Sequence, residues 1–193
     1  VTCMNSDEVL EIDRTTLAIT RRHRTGTADV PMTNMGHGGA QGRRFPMHDE
    51  CMPTFVSLSL DDARIYLACN HTDALQVLDA ATLDLIKSVP VGHGAYNVEP
   101  SPDGKWIIVT NKKDKSISLV DAVTLTEVAR IPVTKTLPHG VAWSPDSRYA
   151  FISIESVGTD SGAVNVIDLT TRTNVAQTPI PLQPTGISIL RLP

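Results

Sequence analysis

The sequence predicts an all-β protein built from a radially repeated unit of four short antiparallel strands. Three observations carry that expectation. An Asp closes a short apolar run and a Thr follows three residues later in four places: Asp13 with Thr16, Asp79 with Thr82, Asp121 with Thr124 and Asp168 with Thr171. These Asp residues stand 66, 42 and 47 positions apart, and a period near forty residues built on short strands and polar turns marks a radial β-repeat. No segment shows the apolar spacing of an amphipathic helix.

Each element follows from local chemistry. The clearest repeat spans residues 100–144. Ser101-Pro102-Asp103-Gly104 is a turn, because Pro presets its own φ and Gly accepts a positive one. Residues 105–111 (KWIIVTN) form a β-rich run, closed by the polar turn at 112–115. Residues 117–120 partly alternate and meet the Asp-x-x-Thr turn, 127–131 alternate again, and Pro138-His139-Gly140 opens the strand that leads to the next Ser-Pro-Asp turn. Residues 63–99 repeat this order, as do 148–178 with a longer middle loop at 156–162. The chain opens inside a repeat, with runs at 1–3, 9–12 and 17–23, and closes on a first-type strand at 185–190. Three strands, twelve and one make four blade-equivalents: three complete repeats plus one blade split between the termini, so that the last strand pairs with the first three and closes the ring. The alternative is a portion of a larger ring. Such an incomplete ring would expose sheet faces, so self-association is expected in that case.

The bulk numbers fit one packed domain over residues 1–193. Apolar residues make up 41% and charged residues 20%, while aromatics reach only 4%, so the core must be built from Val, Ile, Leu and Ala. The net charge of −4 gives no general attraction to nucleic acid, and no apolar run is long enough to span a bilayer. Val1 is not an initiator Met, so either a leader has been removed or the chain is a piece of a longer one. The three cysteines suggest no disulfide framework. Cys3 and Cys69 each precede a repeat Asp by ten positions, so they occupy equivalent strands, too far apart to bridge, and read as small core residues. Cys51 stands alone in a loop as a free thiol or a ligand.

Ser101-Pro102-Asp103-Gly104, Val109-Thr110-Asn111, Ser118-Leu119-Val120-Asp121 and Pro138-His139-Gly140 resemble the YVTN family of β-propeller repeats. The resemblance covers nearly all of the chain except residues 26–51. It departs from the family where Ile108 stands for the first Tyr of the tetrad and where Ser59-Leu60-Asp61-Asp62 replaces Ser-Pro-Asp-Gly. The resemblance implies a β-propeller of four-stranded antiparallel blades, commonly seven in a full ring, and a periplasmic or extracellular location.

In a propeller, the interblade loops share one end of the disc with the turns between second and third strands, and that end commonly holds the ligand. All six histidines map to it: His23, His37, His48, His71, His93 and His139. So does the long insertion at 26–53, rich in Gly and Met and carrying Arg43, Arg44 and Cys51. Lys112 and Lys113 join them, which describes a basic, His-bearing rim. The expected function is a non-enzymatic binding or interaction propeller. Its candidate ligand contacts are His37, Arg43, Arg44, His48, His71, His93, Tyr96, Lys112, Lys113 and His139, and its ligand is an anionic small molecule or a protein partner. The Asp-x-x-Thr residues read as turn caps, since a fourfold feature belongs to the scaffold. An alternative similar to seven-bladed lactonases has Arg44 stabilising an oxyanion and His48 or His139 as base, without any Gly-x-Ser-x-Gly elbow. A second alternative is a redox-cofactor propeller similar to the d1-haem domains, or a transition-metal site at His37, His48, Cys51 and His93. Without aromatics interleaved among the basic residues, nucleic acid is not an expected partner.

Overall fold

The computed structural model describes residues 1–26 and 50–190. Fifteen strands form four antiparallel sheets. The first holds β1 (Thr2–Cys3), β2 (Glu8–Ile12) and β3 (Ile19–Arg24). The second holds β4 (Pro53–Leu58), β5 (Arg64–Cys69), β6 (Ala74–Asp79) and β7 (Leu85–Pro90). β8 (Ala95–Pro100), β9 (Trp106–Asn111), β10 (Ser116–Asp121) and β11 (Thr126–Pro132) make the third. The fourth consists of β12 (Pro138–Trp143), β13 (Tyr149–Ile154), β14 (Gly162–Asp168) and β15 (Thr173–Ile180). Within every sheet the strands pair in sequence order, and consecutive sheets meet through β1 and β4, β4 and β8, and β8 and β12.

The Asp-x-x-Thr turns build the outer hairpins. Asp121 Oδ1 accepts from the backbone N–H groups of Val123 and Thr124 (2.9 and 2.7 Å) and from the Thr124 hydroxyl (3.0 Å), and Asp13 and Asp79 do the same for their own turns. The N–H donors of Thr16, Thr82 and Thr124 hold these three carboxyls below their ordinary pKa. The next residue (Leu17, Leu83, Leu125 or Arg172) takes a positive φ, and the outer strand of each hairpin carries one extra residue, Thr20, Ile86, Val128 or Val175. The caps offset the backbone strain of a side chain in the left-handed region.

Three apolar clusters fill the spaces between successive sheets, centred in turn on Val9, Leu67 and Leu78, on Tyr66, Leu75 and Ile107, and on Ile108, Ile117 and Ile152. β-Branched residues dominate, as a core poor in aromatics requires.

Sequence and structure disagree on the cysteines and on the closing strand. Cys51 and Cys69 form a disulfide, with Cα atoms 4.6 Å apart, and both are fully buried. Cys51 is therefore neither a free thiol nor a metal ligand. The equivalence of Cys3 and Cys69 does hold, but the partner of Cys69 is Cys51, which lies just before β4, the strand that pairs with β5. Cys3 keeps its thiol and is only half-buried. Residues 183–190 form no strand ladder, and the first sheet holds only its three strands.

Candidate functional site

The innermost strands β4, β8 and β12 share one irregularity. Their register against the second strand breaks between Pro53 and Val56, between Ala95 and Val98, and between Pro138 and Val141. Such bulges re-aim side chains, here at equivalent residues Thr54, Tyr96 and His139, all at the end of the disc where the inner strands begin. A hydroxyl relay ties each bulge to the preceding sheet. Thr2 Oγ1 donates to Thr54 O (3.1 Å), Thr110 Oγ1 to His139 O (3.3 Å) and Ser153 Oγ to Thr185 O (2.7 Å). Thr2, Thr110 and Ser153 occupy the same place on β1, β9 and β13. β5 has Ala68 there, and Thr54 itself donates to Tyr96 O (2.6 Å). Pro184-Thr185-Gly186-Ile187 thus meets the fourth sheet as β8 and β12 meet the sheets before them.

Tyr96 and His139 pack edge-to-face with ring centroids 4.8 Å apart, and Phe55 closes the cluster at 5.4 Å from Tyr96 and 6.1 Å from His139. The Lys112 ammonium sits 3.7 Å from the Tyr96 centroid and bonds Glu155 Oε2 at 2.8 Å. Burial pushes the His139 imidazole pKa down, and the Lys112 charge adds to that, which favours the neutral ring. Its Nδ1 is buried and has no hydrogen-bond partner among the described residues.

The four described histidines, His23, His71, His93 and His139, lie at this end, but they do not converge on one point. His71 is exposed in the β5–β6 turn, and its N–H donates to Cys51 O (3.2 Å). His93 bonds Asp73 Oδ2 through Nδ1 at 2.6 Å, while its backbone N–H donates to Asp114 Oδ2 (2.8 Å). Lys113 is exposed beside Gly94, whereas Lys112 is engaged by Glu155 and Tyr96 and is not a free cation. His37, Arg43, Arg44 and His48 lie outside the described residues. The two ends of the insertion do meet at this rim: Asp7 Oδ1 accepts from the Thr25 hydroxyl and the Met52 N–H, both at 2.8 Å. Among the described residues no three His, Cys, Asp or Glu side chains are grouped to hold a metal ion. The set His37, His48, Cys51 and His93 loses Cys51 to the disulfide.

No family model matches the chain, and no curated protein matches it either. Among solved structures it is similar to Kuenenia stuttgartiensis hydrazine synthase, with a TM-score of 0.75 and 20% identity over 92% of this chain and 44% of that one. The chain thus spans less than half the length of that protein, and a likeness at this identity shows the fold alone. The chain is a β-propeller with four blade-equivalents. The second, third and fourth blades are complete, and the propeller's inner strands line a channel whose two ends carry different chemistry.

The His93–Asp73 pair supplies a direct check on the rim geometry. The hydrogen bond that His93 donates to Asp73, followed by the charge of Asp73 and that of Asp114, raises the His93 pKa. A raised folded-state pKa means that the pair stabilises the fold below the unfolded pKa of His, and that this contribution is lost as pH rises through the folded value. Asp73→Asn is expected to lower the His93 titration midpoint, read by NMR of the imidazole, and an unchanged midpoint would contradict the 2.6 Å contact.

Proposed function

We propose that this propeller is a non-enzymatic binding module that takes its ligand at the Tyr96–His139 end of the channel. The observation that carries this reading is the repeated inner-strand bulge, which sets Tyr96 and His139 edge-to-face at the channel mouth with the Lys112 ammonium over the Tyr96 ring. A planar anion suits the cluster. Its flat part packs against Phe55, Tyr96 and His139, and its charge draws Lys112 from Glu155. Arg43, Arg44, His37 and His48 of the insertion add contacts in this reading, because the ends of the insertion are fastened to the same rim.

The YVTN assignment has support in the Val109-Thr110-Asn111 run. Thr110 accepts from Asn97 N–H (3.0 Å) and donates to the next inner strand, and the buried Asn111 amide donates to the Ser116 and Ser118 hydroxyls. The buried disulfide supports an oxidising periplasmic or extracellular location. No helix among the described residues is long and apolar enough to cross a membrane.

Benzoate is a suitable probe. It is expected to shift the His139 imidazole resonances saturably, and Tyr96→Ala or Lys112→Met is expected to weaken binding about tenfold. Equal affinity in both variants, or no saturable shift at His139, would remove this reading. Lactone turnover by the wild type that disappears in His139→Ala would establish the hydrolase alternative in its place.

A further inference from the structure

The opposite end of the channel holds a cavity of about 720 Å³ that the rim does not use. Its chemistry follows from the repeat. Val56, Val98, Val141 and Ile187 are equivalent along the four inner segments, so the residues after them, Ser57, Glu99, Ala142 and Ser188, form one level around the channel. All four line the cavity. Three of these positions are small, and the fourth places a carboxylate among them. At about 3.3 Å per residue, Glu99 lies about 10 Å along β8 from Tyr96, so the two sites are separate.

Glu99 is half-buried. Ser57 Oγ donates to its Oε2 at 3.3 Å, and among the described residues no Lys, Arg or His forms an ion pair with it. Burial pushes its carboxyl pKa up, with the Ser57 bond opposing. The other charged residue in the lining is Asp62, also acidic and in an exposed turn, and among the described residues no basic side chain lines the cavity. Leu58, Pro100, Val141 and Ile189 supply the apolar part of the wall. A partly desolvated carboxylate without a cation is costly. A cationic ligand with an apolar body would relieve that cost and cover the walls.

We propose that this end of the channel binds a small organic ammonium ion with Glu99 as its counter-ion. The ammonium group donates to the Glu99 carboxylate and to the hydroxyl oxygens of Ser57 and Ser188, while an alkyl portion lies along Leu58 and Pro100. One carboxylate at this level matches a single positive charge, whereas a divalent metal needs more oxygen ligands than Ser57, Ala142 and Ser188 offer. Affinity rises with pH as Glu99 ionises, because only the carboxylate balances the ammonium charge.

The test uses n-butylammonium, with n-butanol as its neutral counterpart, in calorimetric titrations of the wild type, Glu99→Gln and Ala142→Leu. Glu99→Gln preserves shape and still accepts from Ser57. Butylammonium is expected to bind saturably to the wild type, at least about tenfold more weakly to Glu99→Gln, which lacks the charge-assisted bond. Ala142→Leu keeps the carboxylate, fills the level beside it and is expected to abolish binding. Butanol binding as tightly as butylammonium, equal affinity in Glu99→Gln, or no saturable binding to the wild type would each overturn the proposal.

Discussion

Opening the Cys51–Cys69 bridge is expected to lower the stability of this protein by about 3 kcal/mol. The bridge spans 18 residues, and closing a loop of that length removes about that much chain entropy from the unfolded state. For a chain of this size the melting temperature should fall by about 6–12 °C. The measurement is thermal unfolding of the Cys51→Ala/Cys69→Ala double variant, in which Ala leaves no buried hydroxyl. The bridge sits in a small buried cluster with Ala74, and Cys51 O accepts the His71 N–H. Its loss should therefore loosen the β5–β6 turn and the point where the insertion re-enters the second blade. A double variant as stable as the native protein would show that the bridge constrains nothing.

The second large effect is expected at Gly140. A Cβ there would lie 2.6 Å from Thr185 O and 2.9 Å from Ser153 Oγ, with Ile187 Cγ2 at 3.1 Å. Ser153 Oγ accepts from Gly140 N–H (2.8 Å) while donating to Thr185 O, so nothing there yields without breaking a hydrogen bond. Gly140→Ala should cost about 1–3 kcal/mol by overpacking and displace residues 184–190 from the fourth blade. Hydrogen exchange should then report lost protection in that segment. Gly186→Ala is the control, because a Cβ there meets nothing within 4 Å. If the two variants behave alike, the close approach at Gly140 carries no weight.

What was legible in the sequence was local. Ser101, Asp103 and Gly104 specify their own turn: the Ser101 hydroxyl donates to Asp103 Oδ1 and accepts from the Trp106 N–H, with Gly104 at a φ of 70°. Where that Gly becomes Asp62 or Ser147 the positive φ persists, so the pattern could degrade without losing the turn. The disulfide is not legible from a linear sequence, in which Cys51 stands alone in a loop. Aligning Pro53 with Pro138 would have placed it two residues before an inner strand, beside the end of β5. Lys112 was read as a free rim charge because its partner Glu155 is 43 residues away in the next blade. Glu99 went unnoticed for a similar reason: a lone acid on a β-rich run gains meaning only when four distant valine-like positions are superposed around one channel.

The hydroxyl relay bears on how the chain is made. Each donor on β1, β9 and β13 finds its acceptor in residues translated later, never earlier. A blade leaving the ribosome therefore has its inner hydrogen bonds complete and one outward hydroxyl waiting for the next segment to emerge. A chain halted between blades would leave its last finished sheet with that single bond unmade.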